Sequence, residues 1–106
     1  MEEYLQISTT TEEKQDAERI AISVVEKRLA ACVQITGPII STYHWKGAIE
    51  TSEEWLCLIK SRGDLYEEIE KAIKEIHPYE TPEIIATPIV AGSEDYLAWL
   101  GDELKK

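Results

Sequence analysis

His77 and Glu80 bring an imidazole and a carboxylate within three residues of one another, where an amphipathic stripe gives way to a proline-containing loop. Both groups are ligands that copper(II) or zinc accepts, so the pair could converge on one cation. The plainer alternative has His77 capping helix carbonyls and Glu80 meeting a lysine. Cys32 is the third candidate, because a thiolate binds copper(I) and zinc well. A free cysteine between a helix and a strand is, in the competing reading, a buried small hydrophobe. Cys57, flanked by Trp55, Leu56, Leu58 and Ile59, reads as core. A second constellation is Tyr43-His44-Trp45-Lys46-Gly47, which puts aromatic and basic groups at the end of a hairpin. Tyr43, Trp45, Lys46 and Lys60 could line a cleft between subunits and hold a small anion there, or form an interface ridge with solvated lysines.

The elements that must position these groups follow from periodicity. Tyr4 to Ser8 reads as a strand, and Thr10 with Glu13 has the spacing of a helix capping box. Ala17, Ile20, Ala21, Val24, Val25 and Leu29 recur at helical steps, with Glu18, Arg19, Glu26 and Lys27 opposite them. Ala31 to Ile35 and Ile39 to Trp45 read as a strand bent or bulged at Gly37-Pro38. Lys46-Gly47 offers a tight reversal into a returning strand that runs from Ala48 through Lys60. Leu65, Ile69, Ala72, Ile73 and Ile76 form a second helical stripe, which Pro78 ends near His77. Glu83 to Val90 is the last strand, with Pro88 marking an edge. Ser93 caps a short terminal helix in which Leu97, Leu100 and Leu104 share a face flanked by Tyr96 and Trp99.

This order predicts an α+β fold: a ferredoxin-like βαββαβ sandwich over residues 1–106 as a single domain, with a short C-terminal helix. Both main helices lie on one face of such a sheet, so the other face needs a cover, and oligomerisation is the expected one.

Composition narrows the partners. With 21 acidic residues against 11 lysines and arginines, the formal charge of −10 excludes a phosphate-backbone binder and disfavours anionic membranes. Two cysteines are too few for a disulfide framework or an iron–sulfur cluster. The Met1-Glu2-Glu3-Tyr4 start lacks the basic and apolar regions of a signal peptide, so a cytoplasmic location is expected. The machinery of an enzyme is missing as well. The chain has no asparagine, nothing basic between Ser8 and Glu13, no glycine-rich phosphate cradle and no HExxH-like pattern.

Three segments together, Arg28-Leu29-Ala30-Ala31-Cys32-Val33, Ser41 to Gly47 and His77-Pro78-Tyr79-Glu80-Thr81-Pro82-Glu83-Ile84, resemble the CutA family of divalent-cation tolerance proteins. Tyr96-Leu97-Ala98-Trp99-Leu100 agrees with it too. The resemblance implies a tight homotrimer of ferredoxin-like subunits, and a non-catalytic protein of divalent-metal (copper-type) tolerance that needs no cofactor to fold. On this expectation His77, Glu80 and Cys32 are the metal ligands. Family members proposed to bind copper carry a first-strand cysteine and a further histidine where this chain has Ser8 and Ile76. Serine is a poor soft-metal ligand and isoleucine is none. Nitrogen-regulatory signalling trimers are built similarly, which sets the alternative: a PII-like trimer taking an anionic metabolite or a partner protein in its inter-subunit clefts.

Overall fold

The computed structural model describes residues 4–106; Met1 to Glu3, part of the stretch read for targeting signals, lie outside the described residues. Strand β1 (Tyr4–Thr11) leads into helix α1 (Lys14–Glu26), and the long strands β2 (Cys32–Trp45) and β3 (Ala48–Arg62) follow. A 3-10 turn at Gly63–Leu65 opens helix α2 (Tyr66–Ile76), and β4 (Ile85–Pro88) and helix α3 (Glu94–Glu103) complete the chain. The strands form one sheet in the order β2-β3-β1-β4, every pairing antiparallel. This is the split βαβ arrangement that the sequence order predicts.

Alternation along the strands sorts the two faces. Ile7, Thr9 and Thr11 of β1 pair with Ile59, Cys57 and Trp55 of β3. With the exception of half-buried Trp55, these residues are sealed from solvent. Ala17, Ile20 and Val24 of α1 and Ile69, Ala72 and Ile73 of α2 bury against the same side, forming one core. Each fully buried Ile, Leu or Val contributes about 1.5–3 kcal/mol through apolar area removed from water. Thr9 Oγ1 lies in this core without a hydrogen-bond partner among the described residues.

Three local readings change. The Thr10–Glu13 capping box does not form, because β1 continues through Thr11 and the N-cap position of α1 falls to Glu13. Pairing of Thr10 with Leu56 and of Thr11 with Trp55 holds these β-branched residues in the ladder, and Thr11 Oγ1 donates to the Glu13 carbonyl at 2.8 Å instead. The last strand is shorter than Glu83 to Val90, since it follows β1 only from Ser8 back to Leu5. Its final residue, Pro88, sits at the sheet edge, where a missing N–H breaks no pairing on the open side. The face of the sheet away from α1 and α2 is covered at one end by the chain itself. Tyr96 of α3 sits 5.7 Å from Lys60 Nζ, and Arg62 donates to the Lys105 carbonyl at 2.9 Å. Gly101 lies where α3 meets β1, and a Cβ there would fall 2.5 Å from the Tyr4 hydroxyl, so that side chain would have to give way. Ser93 caps α3 as expected, accepting from the Tyr96 N–H at 3.2 Å.

At Gly37-Pro38, a cis peptide, two β2 residues oppose the single residue Trp55, so the register shifts between Thr36 and Ile39. Gly37 has no room for a side chain, since a Cβ would come within 2.7 Å of the Trp55 ring. Beyond the bulge the hairpin runs on alone, past the last β1 pairing at Thr11. From Trp55 to Ala48 this arm projects about 23 Å at ~3.3 Å per residue. Lys46 and Gly47 close it with φ of 50° and 82°, the left-handed pair that a two-residue turn of matching twist requires.

Candidate functional site

A cleft of about 680 Å³ opens where the arm leaves the sheet. Its walls come from the end of β1, the arm from Ser41 to Trp45 with Ser52 and Glu54, and the loop after α2. The bulge decides which arm residues share a side with Glu54. Before the bulge, Val33 and Ile35 pair with Ile59 and Cys57 on the helix-covered side; after it, Tyr43 pairs with Glu50 and Ser41 with Ser52. Odd-numbered β2 residues therefore change sides, and Tyr43 and Trp45 share the cleft side with Glu54. Tyr43 bonds to Ser52 through their hydroxyls at 3.1 Å.

Glu54 is only 6% exposed and accepts a 2.6 Å hydrogen bond from the Tyr79 hydroxyl. A bond this short to a carboxylate is of the strong, charge-assisted kind. Burial first, and then the Glu54 carboxylate beside it, push the Tyr79 phenol well above its ordinary pKa, so Tyr79 is a permanent donor at neutral pH. Sequence reasoning missed Glu54 and Tyr79 as site residues. Tyr79 lies within the recognisable loop segment, whereas Glu54 carries no local signal and comes into view only through the register of β3.

His77 ends α2 as its C-cap and is 8% exposed. Nε2 lies 2.8 Å from the Thr10 carbonyl, and Nδ1 accepts the Tyr79 N–H at 3.1 Å. These partners select the neutral tautomer with its proton on Nε2. Burial lowers the His77 pKa, outweighing the Thr10 carbonyl and the charges of Asp16 and Glu54, which act the other way. Both ring nitrogens are thus engaged, and the imidazole pins the loop that follows it to the end of β1.

Glu80 is exposed on that loop and lines the cleft with Glu12, Glu54 and Glu83. Cys32 is half-buried at the start of β2, opposite Lys60, and is not part of the lining. Among the described residues, no three of His, Cys, Asp and Glu gather closely enough to hold one metal ion. Cys57 is core, as its neighbours predict: its thiol is pushed up to about 11 by burial and points to the Ala17 carbonyl at 3.8 Å. Tyr43 and Trp45 line the cleft, while Lys46 and Lys60 do not. Lys46 Nζ sits 5.5 Å from the centre of the Trp45 ring, and Lys60 Nζ donates to Gln34 Oε1 at 2.8 Å.

A split βαβ sandwich with a projecting hairpin arm and a carboxylate-lined cleft along it defines a class of small α+β protein. Residues 5–103 match the family described as CutA1 divalent ion tolerance protein. The chain is 41% identical over 100 residues to the divalent-cation tolerance protein CutA of Thermus thermophilus, covering 94% of this chain and 95% of that one. It is 38% identical over 94 residues to the chloroplastic protein CutA of Arabidopsis thaliana, covering 89% of this chain but only about half (52%) of the plant protein. The structure described as the periplasmic divalent cation tolerance protein CutA of Archaeoglobus fulgidus superposes with a TM-score of 0.91 at 37% identity, covering 99% of this chain and 100% of that one. The chain belongs to the CutA1 divalent ion tolerance family. No helix among the described residues is long and apolar enough to cross a membrane.

Proposed function

We propose that this protein is a cytoplasmic, non-catalytic homotrimer that serves divalent-metal tolerance by collecting cations in the cleft along its hairpin arm. The observation that carries the reading is the lining: Glu12, Glu54, Glu80 and Glu83 line a cleft to which, among the described residues, no lysine or arginine contributes. On a chain of net charge −10, such a concavity concentrates cations and repels anions. Of the three ligands expected from the sequence, Glu80 stands on the cleft wall, and the reading keeps it as a donor. Carboxylate, hydroxyl and carbonyl oxygens suit hard divalent ions better than copper. His77 acts in this reading by holding the Glu80 loop against β1, and Cys32 takes part only if a neighbouring subunit brings it to a cleft. The trimer is supported by the arm, whose Ile40 and Ile49 are 66% and 70% exposed, by the open edge strand, whose Ile85 is 54% exposed, and by Val90 beyond its end, 91% exposed. Apolar groups at a free sheet edge call for a partner.

Titration of manganese, zinc and copper into the purified protein, alongside Glu80→Gln and His77→Ala, tests the reading. Saturable binding that Glu80→Gln weakens supports it, and equal binding by parent and Glu80→Gln refutes the assigned cleft. Light scattering that returns the mass of a monomer refutes the trimer.

A further inference from the structure

We infer that Tyr79 and Glu54 are positioning residues for assembly: their hydrogen bond braces the hairpin arm at its root and holds it at the angle a neighbouring subunit receives. The inference rests on the reading of the protein as a trimer and adds what makes the arm ready to join one. The arm is a long lever with few ties to the body. Beyond Thr11, the last β1 residue to pair with β3, its backbone bonds run only between its own two strands among the described residues. A two-stranded ribbon by itself is marginal in water. With a reach of about 23 Å, a tilt of ~10° at the root carries the tip through about 4 Å, close to the ~4.8 Å between neighbouring strands. An arm that swings this far loses its place against a partner, and ordering it on association costs affinity.

Two consecutive residues hold the root. Successive side chains of a strand point to opposite faces, so each ties the arm to a different part of the body. Glu54, 6% exposed, accepts the 2.6 Å bond from the Tyr79 hydroxyl on the face away from α1 and α2. Trp55, on the helix-covered side, has Lys14 Nζ 5.4 Å from its ring centre. The other side-chain hydrogen bonds of the arm, Thr42 to Thr51 and Tyr43 to Ser52, join its own strands, so among the described residues Tyr79 to Glu54 is the one that crosses to the body. Tyr79 is itself held in place. His77 Nδ1 accepts its N–H, the two rings meet edge to face with centres 4.7 Å apart, and His77 is anchored to the Thr10 carbonyl. The brace therefore runs from β1 through His77 and Tyr79 to the arm, and the body of the subunit sets the arm's direction before any partner arrives.

Subunit exchange in the intact protein tests this. Each variant is mixed with its own heavy-isotope-labelled copy, and native mass spectrometry follows the appearance of mixed trimers. Tyr79→Phe removes the donor and little else, and should exchange about tenfold faster than the parent, the rate equivalent of a lost hydrogen bond to a charged group. Glu54→Ala should match it, and Glu54→Gln, which keeps an acceptor for the hydroxyl, should fall between it and the parent. Ile69→Val thins the buried core beneath α2 without touching the arm, and should exchange at the parental rate. If circular dichroism shows Tyr79→Phe and Glu54→Ala misfolded, Lys14→Ala decides the matter: exchange about two- to fivefold faster is expected from loss of the exposed cation–π contact, and a parental rate would overturn the inference. Parental exchange by folded Tyr79→Phe would overturn the inference and leave the trimer standing. So would equal acceleration by Ile69→Val, which would reduce the effect to general stability, and Glu54→Gln exchanging as fast as Glu54→Ala, which would assign it to charge. A parent that runs as a monomer would remove the trimer and the inference together.

Discussion

Replacing His77 by glutamine should change how stability depends on pH, because the native contacts of the imidazole require it to be neutral. In the folded chain Nδ1 accepts the Tyr79 N–H and Nε2 donates to the Thr10 carbonyl, so a second proton on the ring abolishes the first bond. Burial sets the folded pKa below the ordinary 6.5. Below that value the unfolded chain binds the proton and the folded chain resists it. The unfolded state thus holds more protons in this window, and stability rises with pH across it. The His77 contribution is complete above about pH 7 and fades as pH falls toward the folded pKa, with a slope of at most ~1.4 kcal/mol per pH unit. His77→Ala removes both bonds and strands the Thr10 carbonyl in a site that is 6% exposed. At about 1 kcal/mol per bond and ~1–3 for the orphaned group, it should cost about 2–4 kcal/mol at neutral pH. His77→Gln can still reach Thr10 and should cost about 1 kcal/mol. Urea denaturation of parent and both variants at one protein concentration, from about pH 5 to about pH 8, measures this. The gap between parent and His77→Gln should widen with rising pH and then level. A gap that is flat, or that widens toward acid, refutes the assigned tautomer and with it the clamp.

Three further outcomes are expected. Tyr79→Phe leaves the buried Glu54 carboxylate without its donor and should lower stability by about 1.5–3 kcal/mol, read as a drop in urea midpoint with unchanged slope. Gly37→Ala drives a methyl into the Trp55 ring and the Glu54 carbonyl, 2.7 and 3.1 Å from the ideal Cβ, and should destabilise by about 1–3 kcal/mol with a shifted tryptophan emission. Ser93→Ala removes the cap on α3 and should cost about 0.5–2 kcal/mol, with earlier amide exchange at Tyr96 than in α1.

The elements were legible where side-chain period and backbone chemistry agreed. Pro78, two residues past Ile76, ends α2, Lys46-Gly47 makes the reversal, and Gly37-Pro38 makes the bulge, each for a reason internal to a few residues. Failures came where a distant partner decided the issue. Thr10 and Glu13 have the right spacing for a cap, but the β3 ladder, more than forty residues away, claims the threonine. The site divides in the same way. Glu80 and the aromatics Tyr43 and Trp45 reach the cleft, while the nitrogens of His77 are consumed by backbone groups that no spacing rule could foresee. Glu54 was invisible because one glutamate in an alternating strand looks like any solvated one until pairing assigns it a side.

The two-against-one bulge at Gly37-Pro38 also acts as a phase control on the arm. Because every side chain beyond it takes its side from that single offset, the arm can gain or lose residues in pairs and keep its pattern. Removal of one residue there would move Tyr43 and Trp45 off the side of the hairpin they share with Glu54 in one step. Length variation among arms of this design should therefore come in even increments, and a natural variant with an odd change should carry a compensating bulge elsewhere in the hairpin.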